Sequence, residues 1–387
     1  MEEKKTKEAP KKLLDHNASW PLTILYLGFL VGIYFAQNYS FKFITRDMNN
    51  YAYYFVAILG GVAFTFLFYN LGKILFARIA GYRINYIRLA GFFIDNSKGK
   101  AKVSFDITRF FTLALRFTPV DDDTKKNPLL IFLGGLFFEI LLLAFALVFL
   151  FGVAMQNPLS LIANFGWTFL FAVCYGFLTP LYELVPFRQD YPTDMFNLLV
   201  TKEQDDKVAF NICQINERRE LAGEDFLVPN FDNYDSFYKA HTLYFLYLED
   251  LNASKLEKAF SVLEDMKYYS KYLLEDERYI TAAETVYLKF LIDDEPGANK
   301  AFLSIKKDER KYVTDPIDLT GYRIAVLVLA SIHSDKEAVK NLLKEFDALV
   351  ASYGENPSAR VKKEVETFNA AYRMVKKHKA DLDLPER

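Results

Sequence analysis

Cysteine and histidine are scarce in this chain of 387 residues, which contains two Cys and four His. Two cysteines give no disulfide framework, so Cys174 in an apolar run and Cys213 in a polar helical stretch are predicted to be reduced structural thiols. Only 17 Gly and 13 Pro exclude a collagen-like chain. A formal net charge of -2 lacks the basic excess typical of nucleic-acid-binding proteins.

Hydrophobic residues make up 52% of the chain, yet its mean hydropathy is only +0.03. This average combines a Phe-rich first half with a Lys- and Glu-rich second half, and the apolar content excludes a disordered chain. A bilayer core about 30 Å thick requires about 20 mostly apolar helical residues. Four segments meet this length: 20–37, 51–70, 129–154 and 161–185. They predict a four-span membrane domain over residues 20–200.

Basic residues near the span ends predict the orientation of this domain. The leader, residues 1–19, is rich in Lys and has no signal-peptide pattern, and residues 78–126 carry many Lys and Arg. The loop after the first span has only Lys42 and Arg46, and residues 156–160 have no basic residue. We therefore expect both termini on the cytoplasmic side, in a bacterial plasma membrane.

Residues 201–387 have apolar side chains at spacings of three and four, which is typical of amphipathic helices in water. The tripeptide Lys-Ala-Phe at 258–260 recurs at 300–302, each time after a longer helix and a polar turn, predicted at 252–254 and 296–298. A weaker third copy turns at 333–335. Helix pairs at a period near 40 predict a soluble tetratricopeptide-like domain, and a plain helical bundle is the alternative.

The end of the second span reads FYNLGKILFARIAGYRI, residues 68–84. This segment resembles the HExxH segment of site-2 proteases, which are intramembrane zinc metalloproteases. In HExxH, two His one helical turn apart bind zinc, and the Glu activates the attacking water. The three chemical positions here hold Tyr69, Asn70 and Lys73, none of which can take those roles. The residues that match the family frame are Leu71, Gly72, Leu75, Ala77, Arg78 and Gly81.

Two later segments resemble the same family. The third span contains LGGLFFEILLLAF, with Glu139 where the family has an Asn. The fourth span ends in YELVPFRQDYPTDMF and resembles the family's NxxP...DG segment, in which Pro186 and Asp194 match. Glu183 replaces the Asn, and Met195 replaces the Gly. The resemblance places Asp194 at the third zinc-ligand position.

The resemblance covers residues 50–200 and implies a helical membrane fold of site-2-protease type. No histidine lies between residues 20 and 200, and zinc hydrolases of this kind require His or Cys ligands. We therefore predict a pseudoenzyme that uses no metal and no cofactor.

Ionisable groups inside a membrane are costly and usually have partners. We expect the Lys73 ammonium to take over the charge of the missing zinc and to pair with Asp194, with Tyr69 donating a hydrogen bond. The alternative is that Lys73 extends to the membrane surface without a specific partner. The predicted pseudo-active site comprises Tyr69, Asn70, Lys73, Glu139, Glu183 and Asp194.

Alternating residues at 84–94 and 101–107, separated by a turn at 96–100, predict a cytoplasmic β-hairpin over about 84–107. In the resembling family, a similarly placed strand region can pair with an unwound substrate by strand addition. Four glycines in the spans are expected to permit close packing of helices within the chain: Gly60, Gly61, Gly134 and Gly135.

Together these features favour a non-catalytic membrane protein that binds a transmembrane or membrane-associated peptide client. It would act as an adaptor or regulator, for example as an accessory subunit in peptide signalling or export, and residues 201–387 would dock a cytoplasmic protein. Two other classes stay open. One is an active metalloprotease with carboxylate ligands for a hard cation, and the other is a transport or proton-handling membrane protein.

Overall fold

The computed structural model describes residues 14–15, 19–44, 50–89, 92–96, 101–105, 114–157, 160–188, 192–222, 224–273, 275–307, 310–316, 319–352, 359–379 and 382–385. The described chain is mainly α-helical with a small antiparallel sheet, as predicted. It divides into two compact units. Unit 1 comprises Met1–Ile94 and Val103–Val208, and unit 2 comprises Asp95–Lys102 and Ala209–Arg387. The leader, apart from residues 14–15 and 19, and the turn at 97–100 lie outside the described residues.

The helices of unit 1 are α1 (Ser19–Ile44), α2 (Asn50–Ile79), α3 (Leu129–Gly152), α4 (Leu161–Gly176), α5 (Leu178–Glu183) and α6 (Asp194–Val200). Three stretches of the described residues are long and apolar enough to cross a membrane: Ile58–Ile79, Leu129–Gln156 and Leu161–Glu183. The first predicted span lies in α1, whose described apolar stretch, Ile24–Gln37, is shorter than these three.

Helix α2 continues to Ile79, beyond the predicted end of the second span at residue 70. No proline interrupts residues 70–79, and the helix ends just before Gly81, which has a φ of +76°. A positive φ is the conformation that glycine adopts most easily after a helix C-terminus. The continuation places Lys73 inside a helix rather than in a loop.

Small residues let α2 pack closely against α3 and α4. A Cβ atom at Gly61 would overlap a backbone carbonyl of α4, and a Cβ atom at Gly135 would lie 2.5 Å from the Tyr69 ring. A Cβ atom at Gly134 would lie 2.7 Å from the Phe76 side chain of α2, whereas one at Gly60 would meet no atom of the described residues within 4 Å. The predicted close packing is therefore confirmed for three of the four glycines and wrong for Gly60.

The sheet of unit 1 has four strands in the order β4-β3-β2-β5. They are β2 (Tyr82–Leu89), β3 (Phe92–Asp95), β4 (Lys102–Phe105) and β5 (Ala114–Pro119). The prediction of a two-stranded hairpin over 84–107 is thus wrong in extent. Its first strand is two strands, separated in the sequence by Ala90 and Gly91, and β5 lies beyond its end. A two-residue strand, β1 (Leu14–Asp15), pairs in parallel with β6 (Phe187–Arg188).

The remaining helices are α7 (Gln204–Ala222), α8 (Phe237–Asn252), α9 (Leu256–Tyr268), α10 (Glu275–Leu291), α11 (Glu295–Ser304), α12 (Arg310–Thr314), α13 (Leu319–Leu327), α14 (Lys336–Ser352) and α15 (Ala359–His378). A π-helical turn, Val328–Ile332, continues α13.

Three helix pairs recur in unit 2: α8 with α9, α10 with α11, and α13 with α14. Ser254, Asp293 and Ser334 follow the first helix of each pair and have φ values of 57°, 57° and 52°. Such left-handed residues commonly end helices. The turn predicted at 296–298 is wrong, because Pro296 lies in the first turn of α11, where proline is favourable. The actual turn is at 292–294.

A buried polar network joins the first helices of the three pairs. The guanidinium of Arg323 bonds the Glu284 carboxylate, with Nη2 2.7 Å from Oε1. Tyr247 Oη donates to Glu284 Oε2 at 2.7 Å. The guanidinium of Arg323 also lies 4.4 Å from the centre of the Tyr287 ring. Buried charges are tolerated when paired and hydrogen-bonded in this way.

Candidate functional site

A local cap on α6 positions Asp194, the predicted third-ligand position. Asp194 is the first residue of α6, and Thr193 is its N-cap. Thr193 Oγ1 accepts from the Phe196 N–H at 3.4 Å and donates to the Val185 carbonyl at 2.7 Å. The threonine therefore fixes both the start of the helix and the chain that leads into it.

Both carboxylate oxygens of Asp194 bind side chains of α2. Lys73 Nζ lies 2.7 Å from Oδ1, and Tyr69 Oη donates to Oδ2 at 2.6 Å. Lys73 and Tyr69 are four residues apart in one helix, so they share a face. The predicted ion pair and hydrogen bond are both present, and the alternative of a Lys73 without a specific partner is wrong.

Glu183, at the end of α5, joins this cluster through the backbone. Its Oε2 accepts from the Asp194 N–H at 2.8 Å. A cavity of about 20 Å³ adjoins Tyr69, Glu183 and Asp194 and is otherwise lined mostly by apolar residues, including Phe132 and Leu136. This volume is close to the minimum that holds one water molecule. The cluster therefore combines two carboxylates, a phenol and an ammonium beside a water-sized space.

Asn70 lies outside this hydrogen-bonded cluster. Its Nδ2 donates to the Phe66 carbonyl at 2.9 Å, one turn earlier in α2. A side-chain amide is neutral and has no basic atom, so Asn70 cannot act as the general base that the family's Glu provides.

Glu139 is the other predicted site residue outside the cluster. It is fully buried in α3, and neither of its carboxylate oxygens has a hydrogen-bond partner among the described residues. Gly135, one turn earlier, packs against the Tyr69 ring. A buried carboxyl group without hydrogen bonds is costly, and in a membrane helix it is a marker of function.

The side chains of the cluster link α2 to α6. The Lys73 ammonium lies against Asp194 Oδ1, on the side of the carboxylate that faces α2. A metal ion bound between α2 and this carboxylate would need the same position. Within the described part of the chain, no three His, Cys, Asp or Glu side chains are grouped as a metal site. The positive charge next to Asp194 comes from Lys73 of α2.

Thr193 and Gly135 support the site without belonging to the predicted set. The order Pro192, Thr193, Asp194 contains a helix N-cap signal that identifies Thr193 from sequence. The packing of Gly135 against Tyr69 depends on how two distant helices cross. No local signal specifies which residue of α2 a glycine of α3 will meet.

No family model, no curated protein and no solved structure matches this chain. The likeness to site-2 proteases therefore stays a prediction that depends on three sequence segments.

Proposed function

We propose that this chain is a non-catalytic membrane protein of site-2-protease type that binds a transmembrane or membrane-associated peptide. It acts as an adaptor or regulator of another membrane complex. The proposal includes a fourth span in α1, cytoplasmic termini and a bacterial plasma membrane. It is supported by the Lys73–Asp194 ion pair, in which an ammonium group lies against this carboxylate.

The exposed edge strand is the proposed client site. Strand β4 lies at one edge of the sheet, and all four of its side chains are exposed. An edge strand offers backbone N–H and C=O groups that can pair with an extended peptide. The client would be an extended or locally unwound segment next to the membrane.

Unit 2 is the proposed docking module for a cytoplasmic protein. Its three helix pairs are compatible with a tetratricopeptide-like array, and such arrays dock protein segments along their stacked helices. The buried Arg323–Glu284 pair joins α13 to α10, and the Tyr247–Glu284 hydrogen bond joins α8 to α10, which supports the fixed arrangement that docking would require.

Crosslinking in cells tests the client site. A photo-crosslinking amino acid replaces Val103 in β4 of the full chain, and the same amino acid at exposed Lys363 in α15 is the matched control. We expect a membrane-associated peptide crosslinked from position 103 and not from position 363. The purified peptide should then bind the full chain, remain intact, and bind less tightly to a Val103→Pro variant, because proline removes a backbone donor.

Pull-down from a gentle detergent tests the docking module. We expect a soluble partner to bind the full chain and to be lost from a chain cut after Val200, whereas the peptide client persists. Cleavage of the peptide by purified protein, or a stoichiometric bound cation, would instead favour a metalloprotease with carboxylate ligands.

A proton-handling protein is the second candidate. It is favoured by the buried carboxyl group of Glu139, which has no hydrogen-bond partner in the part of the chain that the structure describes. Liposomes containing the full chain would then show proton flux that a Glu139→Gln variant lacks. Absence of flux with intact peptide binding supports the adaptor.

A further inference from the structure

A short segment beyond α15 is buried against the helices of unit 2. Leu382 and Leu384 are only 9% and 6% exposed. Both belong to the core cluster that includes Val339 of α14 and Val375 of α15. Helix α15 ends at His378, so the chain folds back onto this core after the helix. Burial of the two leucines stabilises the contact between the segment and the helices, because it removes apolar surface from water.

Polar side chains of α14 and α15 contact the same segment. Tyr372 Oη of α15 donates to the Pro385 carbonyl at 2.8 Å, and Lys336 Nζ of α14 lies 3.0 Å from Asp383 Oδ2. The segment therefore lies across both helices. Within the described part of the chain, no backbone-to-backbone hydrogen bond joins residues 383–385 to a helix. Buried apolar anchors surrounded by a few polar contacts are typical of protein–peptide interfaces.

Positive charge surrounds the acidic residue of this segment. The hydrogen bond and the charge of Lys336 lower the pKa of Asp383, and Lys340 and Lys376 act in the same direction. The side chain of Asp383 is 92% exposed, so its ion pair contributes little binding energy. The lysines instead favour an acidic residue at this position over a neutral or basic one, while the buried leucines supply most of the affinity.

We propose that the surface of α14 and α15 beneath residues 382–385 docks a partner segment of the same chemistry, in which two leucine-like side chains flank an acidic residue. Residues 382–385 act as an internal competitor that the partner displaces. Because the competitor belongs to the same chain, its effective concentration is on the order of millimolar, and a partner segment must bind more tightly than this to replace it. The inference rests on the proposed docking role of unit 2.

Binding of a peptide added to the full chain in detergent tests this surface. The probe is a fluorescent peptide with the sequence of residues 380–387, ADLDLPER, and its anisotropy reports binding. An L382A/L384A variant weakens the internal competitor, so we expect it to bind the peptide about 10-fold more tightly than the wild-type chain does. An I292A/L303A variant removes two exposed apolar side chains of unit 2 instead and should bind like the wild type.

Charge reversal tests whether the peptide occupies the same position. Adding K336E to the L382A/L384A variant should weaken binding about 3- to 10-fold, and a peptide carrying Asp383→Lys should recover the lost affinity on that chain. A peptide with both leucines replaced by alanine should bind more than about 10-fold more weakly.

No peptide binding by a folded L382A/L384A variant, or equal binding by this variant and the wild type, overturns the proposal. If L382A/L384A does not fold, D383K carries the test, because it changes only an exposed side chain. The wild-type peptide should then bind D383K about 3- to 10-fold more tightly than the wild-type chain, and an unchanged affinity overturns the proposal.

Failure of this proposal is distinguishable from failure of the docking role. A soluble partner that requires residues 201–387 but is not displaced by the peptide overturns the assignment of this surface and leaves the docking role intact. A partner that persists on the chain cut after Val200 would contradict the docking role itself.

Discussion

The Lys73 ammonium lies 2.7 Å from Asp194 Oδ1, although the two residues are 121 positions apart in the chain. Tyr69 holds the second oxygen of the same carboxylate, so α2 contributes both partners of one side chain in α6. Removal of one partner of a buried ion pair strongly destabilises a fold, because the other charge then stays buried and unpaired.

Replacing Lys73 by Met should therefore destabilise unit 1 by about 3–5 kcal/mol, because the Asp194 carboxylate would stay buried without its cation. The measurement is the thermal unfolding midpoint of the full chain in detergent. The K73M/D194N double variant is the control, since it removes both charges, and we expect it to recover most of the lost stability. An unchanged midpoint in K73M would show that the pair contributes little.

Restoring the HExxH motif tests whether residues 69, 70 and 73 correspond to the zinc-binding positions of site-2 proteases. A Y69H/N70E/K73H variant recreates HExxH in α2 and removes the cation from Asp194, so we expect it to bind about one zinc ion per chain. Metal content after dialysis is the measurement. Adding Asp194→Asn should lower zinc affinity by removing the third ligand. Zinc binding that is indifferent to residue 194 would contradict the predicted ligand geometry.

Adjacent glycines in α2 provide a matched test of helix packing. Gly61→Ala should cost about 1–3 kcal/mol, because its Cβ atom would overlap a carbonyl of α4. Gly60→Ala should be neutral or stabilise by up to about 1 kcal/mol, because no described atom lies within 4 Å of the new Cβ atom and alanine favours a helix. Both are measured as thermal midpoints in detergent. Similar effects of the two substitutions would contradict the described crossing of α2 and α4.

The buried polar network of unit 2 gives a further prediction about stability. Arg323→Met should cost about 3–5 kcal/mol by leaving Glu284 buried and unpaired. Lys336→Met, which removes the exposed pair with Asp383, should change stability by no more than about 1 kcal/mol. Urea unfolding of the full chain followed by circular dichroism is the measurement. Equal shifts in the two variants would contradict the structural importance of the network.

Tyr247 adds a pH dependence to the same network. Burial, reinforced by the nearby Glu284 carboxylate, raises the pKa of Tyr247 well above its usual range. The phenol therefore stays protonated in the folded chain, while it ionises in the unfolded chain near pH 10. Stability should fall as pH rises above about 10, and a Tyr247→Phe variant should show a smaller fall between pH 9 and 11 in the same urea experiment.

Local patterns predicted much of the architecture. Apolar runs of about 20 residues identified the stretches now seen in α2, α3 and α4, because span length is set by bilayer thickness. The spacings of three and four residues predicted the helices of unit 2. The sheet was harder to predict from the sequence, because β5 pairs with β2 across a segment of more than 20 residues and strand pairing is not local.

The sequence by itself determined that unit 1 is apolar, that it has no histidine between residues 20 and 200, and that its HExxH positions hold Tyr69, Asn70 and Lys73. Tertiary structure decided the partners. Lys73 and Tyr69 of α2 bind the Asp194 carboxylate of α6, and Glu139 is buried without a hydrogen bond among the described residues. Residue types and helix lengths are local properties, whereas each of these contacts depends on how distant segments cross and pair.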